Sequence, residues 1–194
     1  MLLYARVKVS LRSFWDDVTG SLMVETVLAI PLLFWAAAAT FDFFEVHRYK
    51  SVREKATFTV ADMISRETSA TGLTSIYLDN TKILFDEISN DDGINQIRIS
   101  IIIYDADTNT YRISWSETRG TGPFSPLTDG QVQNAHDDLP AVSDGEEIIL
   151  VESSSVYAPL FNVGLNDVTI GTRVFTAIRF SPQICYEGAC GLQS

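Results

Sequence analysis

The sequence predicts an α+β protein: a long N-terminal membrane-spanning helix that extends into a small external domain, with a second helix and an antiparallel sheet of about four strands. Three observations predict it. Thr26–Phe41 is a run of 16 residues without a charge, apolar on every side. The next stretch repeats apolar residues at three- and four-residue steps. Beyond Asn90 the spacing changes to short runs rich in Ile, Val and Tyr, separated by Gly, Asp and Asn. Helical signals first and strand signals afterwards are the pattern of α+β architecture. A chain of 194 residues is long enough to bury a core beside such an appendage.

With its flanks Leu22–Glu25 and Asp42–Phe44, the first apolar segment reaches 23 residues. At 1.5 Å per residue that is about 35 Å of helix, against a bilayer core of roughly 30 Å. Glu25 and Asp42 then fall near the two interfaces. A core helix of a soluble protein is the competing reading, but such helices are rarely apolar all round for this length. Trp15, Phe43 and Phe44 sit where interface anchors are expected. Upstream, Arg6, Lys8 and Arg12 favour a cytoplasmic N-terminus, while Arg48, Lys50, Arg53 and Lys55 on the other side nearly balance them.

Residues 45–67 continue the helix into water, with Val46, Tyr49, Val52, Ala56, Val60, Met63 and Ile64 as one apolar stripe that packs on the protein's own domain. Pro31 should bend the helix, since its ring removes a backbone hydrogen bond. Ser69–Gly72 breaks it. Thr74 or Ser75 can cap a second helix that ends at Asn90–Gly93. Gln96–Tyr104 and Tyr111–Ser116 read as a hairpin around 105–110. Residues 117–145 read as a long loop with one helical turn near Gln131–His136. Glu147–Tyr157 and Thr172–Phe180 complete the strands.

Composition narrows the function classes. Fourteen basic against 25 acidic side chains leave a net charge of −11, which repels phosphate backbones and argues against nucleic-acid partners. Two histidines and two cysteines leave little for a metal site, and none is expected. Asp105-Ala-Asp107-Thr-Asn109 imitates the opening of a calcium loop. It has Thr110 where Gly is needed, and Asp and Asn are ordinary hairpin residues. His136-Asp137-Asp138 has no accompanying nucleophile and reads as a solvated loop. No catalytic residues and no cofactor are therefore expected. Cys185 and Cys190 bracket Tyr-Glu-Gly-Ala, which is not redox or zinc spacing. In an oxidising compartment they are expected to form a disulfide worth about 2 kcal/mol by chain entropy, with two free thiols as the alternative, and the pairing favours an external C-terminal domain.

The junction Gly20-Ser21-Leu22-Met23-Val24-Glu25-Thr26 carries the functional signal. A carboxylate at the edge of a membrane helix is expensive and is usually retained for a purpose. Cleavage after Gly20 would place the new Ser21 ammonium about one helical turn from Glu25. It could neutralise that glutamate or the glutamate of a neighbouring subunit. Gly20, Glu25 and the apolar run together resemble the class III signal of type IV pilin-like proteins, cut by a prepilin peptidase on the cytoplasmic face. Gly20-Ser21, Val24-Glu25, Pro31 and Phe41-Asp42-Phe43 resemble the TadE/TadF pseudopilins of tight-adherence (Flp) pilus systems. The match covers about residues 16–66. Val151–Phe161 faintly echoes a strand ending in Tyr-x-Pro in that group, whereas Asp16 and Asp17 stand where its leaders usually carry basic residues.

The resemblance implies a leader at 1–20, a transmembrane helix at 21–44, its amphipathic continuation at 45–67 and a periplasmic α+β domain at 68–194. It implies a single-pass protein of the bacterial inner membrane with a cytoplasmic N-terminus, free to enter a pilus. Its partners would be the prepilin peptidase, other pilin-like subunits and the inner-membrane assembly platform, with Glu25 directing subunit pairing. Two alternatives stand beside it. One is a signal-anchored periplasmic binding module with an acidic domain. The other is a secreted protein cut at Ala36–Ala39 by ordinary signal peptidase.

Overall fold

Between Gly20 and Gly72 the only residue hostile to a helix is Pro31. The computed structural model describes residues 19–68, 72–91, 93–161, 163–164 and 166–190. In it, helix α1 spans Thr19–Ser65 with Pro31 inside it. At 1.5 Å per residue its 47 residues extend about 70 Å. Residues 1–18, which include Arg6, Lys8, Arg12, Trp15, Asp16 and Asp17, lie outside the described residues.

The chain divides into two compact units. One comprises the chain through Phe44 together with Leu160–Gly164, and the other Glu45–Pro159 together with the stretch from Leu165. The second unit contains the fold proper. Helix α2 (Ser75–Ser89) starts where the Thr74 side chain accepts the Tyr77 N–H, and it stops at Asn90 in the left-handed conformation. Strands β1 (Asn95–Asp105), β2 (Thr110–Gly120), β3 (Glu147–Tyr157) and β4 (Val168–Ala177) form one antiparallel sheet in the order β2-β1-β3-β4. A short helix α3 (Asp129–Asn134) and a 3-10 turn (His136–Asp138) lie between β2 and β3.

The helix-facing side of the sheet bears Ile97, Ile99 and Ile101 of β1, Trp115 of β2, Ile149 and Val151 of β3 and Val174 of β4. They pack with Ala56, Val60, Ala61 and Ile64 of α1 and Leu78 and Phe85 of α2. Each fully buried aliphatic side chain here contributes roughly 2 kcal/mol of transfer free energy. Ser114 is an extra residue in β2, since Ile101 pairs with Trp115 but Ile102 with Ile113. This bulge turns Trp115 and Ile113, two residues apart, to opposite faces.

Several expectations need correction. The buried stripe of α1 is Arg53, Ala56, Thr57, Val60, Ala61, Ile64 and Ser65, while Val46, Tyr49, Val52 and Met63 lie half-buried at its margins. Polar residues occupy the stripe because the strands beneath it are polar at one end. Thr57, Ser153 and Thr172 share their hydroxyl hydrogen bonds at 2.6–3.4 Å. Strand β2 continues to Gly120 because Glu117–Gly120 pair with Ile99–Gln96. Strand β4 lies earlier than Thr172–Phe180 because Val168–Gly171 pair with Tyr157–Ser154. At its other end the chain turns away so that Arg179 N–H can donate to Ser65 O at 2.9 Å.

The stretch from Thr121 to Gly145 is also more than a surface loop. Val132 is buried against Ile102, Tyr111, Ile148 and Leu150, with Leu127, Leu139 and Val142 alongside. Backbone groups and the Asp129 carboxylate pin this layer to the sheet. Gln96 bridges Phe124 through both its amide atoms at 2.7–2.8 Å, Ser116 Oγ accepts Leu127 N–H at 2.8 Å and Asp129 accepts Ile113 N–H at 2.7 Å. The second face of the sheet is therefore partly covered by a segment whose Gly, Pro and Thr content hides its role.

Candidate functional site

The apolar half of α1 has the opposite environment. Leu22, Met23, Val27, Leu28, Leu32, Leu33, Phe34 and Trp35 are all exposed, Met23 by 78% and Phe34 by 73%. This half is long and apolar enough to cross a membrane. Its hydroxyls are satisfied within the helix: Thr26 donates to Leu22 O at 2.7 Å and Thr40 to Ala36 O at 2.8 Å. Such back-bonding suits a solvent that offers no hydrogen bonds. Gly20 and Ser21 fall in the first turn of α1, and Glu25 is exposed one turn later.

At the other end of the apolar run, Asp42 is fully buried. Its two carboxylate oxygens face the Phe161 N–H at 3.4 and 3.3 Å. Phe41 and Phe161 meet edge to face with centroids 5.7 Å apart. The sequence placed Asp42 near an interface but carried no sign that residue 161 would reach it.

Within the folded domain, Arg53 is the largest side chain with no exposure. It pairs with Asp91 and donates to Tyr49 Oη at 2.7 Å, while Tyr49 Oη donates to Asp91 at 2.6 Å. Its guanidinium also lies 4.3 Å from the Tyr49 ring centre. On the far side of the sheet, Arg98 is bonded to Glu152, which also accepts from Arg173 Nε at 3.1 Å. These groups line a cleft of about 190 Å3 with Gln131 and Leu139. Spacing alone counted Arg53 as a membrane-flanking charge. Its place one turn before Ala56 and Thr57 on the apolar stripe was the available signal.

Cys185 and Cys190 are joined in a disulfide. The loop they close seals the base of the core. Leu73 N–H donates to Cys185 O at 2.7 Å, and Glu187 N–H returns to Leu73 O at 2.8 Å. Gly72 has φ +66° and its Cα approaches the Cys185 carbonyl so closely that a Cβ would stand 3.3 Å from that oxygen. Trp115 Nε1–H donates to Ile184 O at 2.7 Å, and Ile184 N–H donates to Glu147 at 2.9 Å. Glu147 is buried, with its other oxygen unpaired among the described residues. Burial pushes its carboxyl above the ordinary range, partly offset by the Ile184 N–H.

The remaining candidates resolve into structural roles. Asp105 accepts the Asp107 and Thr108 N–H groups at 3.0 and 3.1 Å, the geometry of an Asx turn. Those bonds hold its carboxyl below the usual range. His136 is not simply a solvated loop residue: it is half-buried, and its ring meets Tyr111 at 5.2 Å. Among the described residues no group of three or more His, Cys, Asp or Glu could hold a metal ion. Compared with known proteins, the chain matches no family model, no curated sequence and no solved structure.

Proposed function

We propose that this chain is a membrane-anchored pseudopilin or minor pilin that takes part in assembling a tight-adherence pilus. The observation that carries the reading is the division of α1. One half is uncovered, apolar and headed by Gly20-Ser21 and Glu25; the other is packed into an α+β domain. Cleavage after Gly20 gives Ser21 a free ammonium. Within a bilayer the Glu25 carboxylate then has a reason to seek the Ser21 ammonium of an adjacent subunit, because an unpaired charge at a membrane helix end is costly. The domain lies on the periplasmic side and supplies specificity for its partners. Catalysis has no part in this function.

Sequencing the mature N-terminus tests it. Ser21 is the expected first residue, and Gly20→Trp should leave a full-length precursor because the peptidase must approach the backbone at the cut. A start at Met1 in the wild type would leave a signal-anchored binding module, and a start near Thr40 a secreted protein. In the processed protein, Glu25→Leu should still insert but should lose co-purification with pilin-like partners, with Glu25→Asp intermediate. Unchanged association in Glu25→Leu would reduce the glutamate to an interfacial residue.

A further inference from the structure

We infer that the β3–β4 loop is a second membrane contact, with the tip Leu160–Phe161 inserting into the headgroup region of the bilayer beside the exit of α1. The inference rests on the membrane-spanning reading of the apolar half of α1 and goes beyond it. Loop tips that face water are built mainly from Gly, Pro, Asn, Asp and Ser, and adjacent large apolar side chains such as Leu160-Phe161 are unusual there. Of the ten loop residues Ala158–Asp167, only the last is charged, and Leu160 and Phe161 stand among the nine that are not. Leu160 is 72% exposed and Phe161 41%.

The loop is not apolar at random, for Leu160–Gly164 belong to the same compact unit as the apolar half of α1. Phe161 lies edge to face against Phe41, the last residue of the uncharged run. Its N–H faces both oxygens of Asp42, a buried carboxylate where that run ends. An acid at that depth would be expensive in lipid without a donor, and the loop brings one. Phe41, Phe43 and Phe44 are themselves exposed, so the helix exit already carries the aromatic residues that sit at headgroup level. Leu160 and Phe161 extend that belt from a distant part of the chain. The surface is continuous with the apolar helix and uncharged. Its occupant is therefore the bilayer interface, and binding by the loop should be insensitive to salt and to the share of anionic lipid.

The test uses the full chain in phosphatidylethanolamine–phosphatidylglycerol vesicles. An environment-sensitive fluorophore is attached in turn to Leu160→Cys, Leu32→Cys and Asp107→Cys, the last in the turn at the far end of the sheet. The described residues contain no free cysteine, so each variant offers one reactive thiol among them. Lipids spin-labelled at the headgroup should quench Leu160→Cys severalfold more than Asp107→Cys, equally at low and high salt. Lipids labelled deep in the acyl chain should quench Leu32→Cys. If Leu160→Cys is as unquenched as Asp107→Cys while Leu32→Cys is quenched, the inference fails and the membrane-spanning reading stands. An unquenched Leu32→Cys overturns both. A Leu160→Cys probe shielded from iodide yet untouched by either labelled lipid also overturns the inference, and would assign the tip to a protein partner.

Discussion

The two halves of α1 belong to one unbroken helix and both carry apolar residues to bury, yet their surroundings differ completely. From Arg53 to Ser65 the buried positions follow steps of three and four, and the opposite face carries Glu54, Lys55, Asp62 and Arg66. That pattern gives the helix one face to bury and one to hydrate. From Leu22 to Phe41 there is no such division, and large apolar side chains point outward all round. A single domain can cover only one side of a helix. An all-round apolar segment needs a surrounding solvent of its own kind. The contrast teaches that apolar content decides how much a helix must bury, and periodicity decides against what.

The comparison breaks most visibly when the same charge is placed in each half. Val60→Asp puts a carboxylate among Ile64, Ile97 and Ile99, with no partner, and should destabilise the domain by roughly 4 kcal/mol. Leu33→Asp, on the exposed half, should leave the domain's melting transition in place while weakening partition into vesicles. Equal thermal losses in the two variants would show that both halves are packed alike.

Next in size is the pair on the far face of the sheet. Glu152→Ala leaves the Arg98 charge buried and unpaired, at a cost of about 3 kcal/mol in denaturant titration. Replacing both residues together, as Arg98→Met with Glu152→Leu, should recover most of that loss. Arg173 is half exposed, and Arg173→Ala should cost less than about 1 kcal/mol. A double variant no better than Glu152→Ala would mean that the ion pair does more than neutralise itself.

Opening the C-terminal loop should have a smaller effect. Cys185→Ser with Cys190→Ser is expected to lower stability by about 2 kcal/mol, since the closed loop is short. The reduced wild type should match it. A difference between the two would separate the loss of the cross-link from damage to the Leu73–Cys185 backbone pairing.

The smallest expected shift is in pH dependence, because the Ile184 N–H already offsets part of the burial of Glu147. Its folded carboxyl titrates above its unfolded value, so its contribution to stability is fully present below the ordinary carboxylate range and is lost as pH rises through the raised value. Glu147→Gln keeps an acceptor for Ile184 and removes the charge. The variant should be more stable than wild type near neutrality, with the difference vanishing in acid. A constant difference across pH would clear Glu147 as its source.

Local pattern carried a large part of this fold. Thr74 and Asn90 bound α2 as their cap chemistry predicts, and Glu147–Tyr157 is a strand to the residue. Both depend on near neighbours, through a side chain three residues from the N–H it accepts or the short apolar run Ile148–Val151. Where pairing partners decided, the reading slipped. β4 takes its limits from β3, and the extra Ser114 shows only against Ile101 and Ile102 of the neighbouring strand. The Thr121–Gly145 segment looked like an open loop because the bonds that fix it, from Phe124 and Leu127 backbone groups and the Asp129 carboxylate, all reach residues of distant strands.

The sequence by itself determined that the chain is α+β, that one helix half is apolar on every side, and that Gly20, Ser21 and Glu25 stand together at its head. These are properties of composition and short spacing, and they need no distant contact. Only the tertiary structure decided that Arg53 is a buried residue of the domain and that Phe161 meets Asp42 across 119 positions of sequence. A charge or an apolar tip has no fixed environment until the chain folds. The energy of either depends on which donor, ring or carboxylate the rest of the fold brings within a few ångströms.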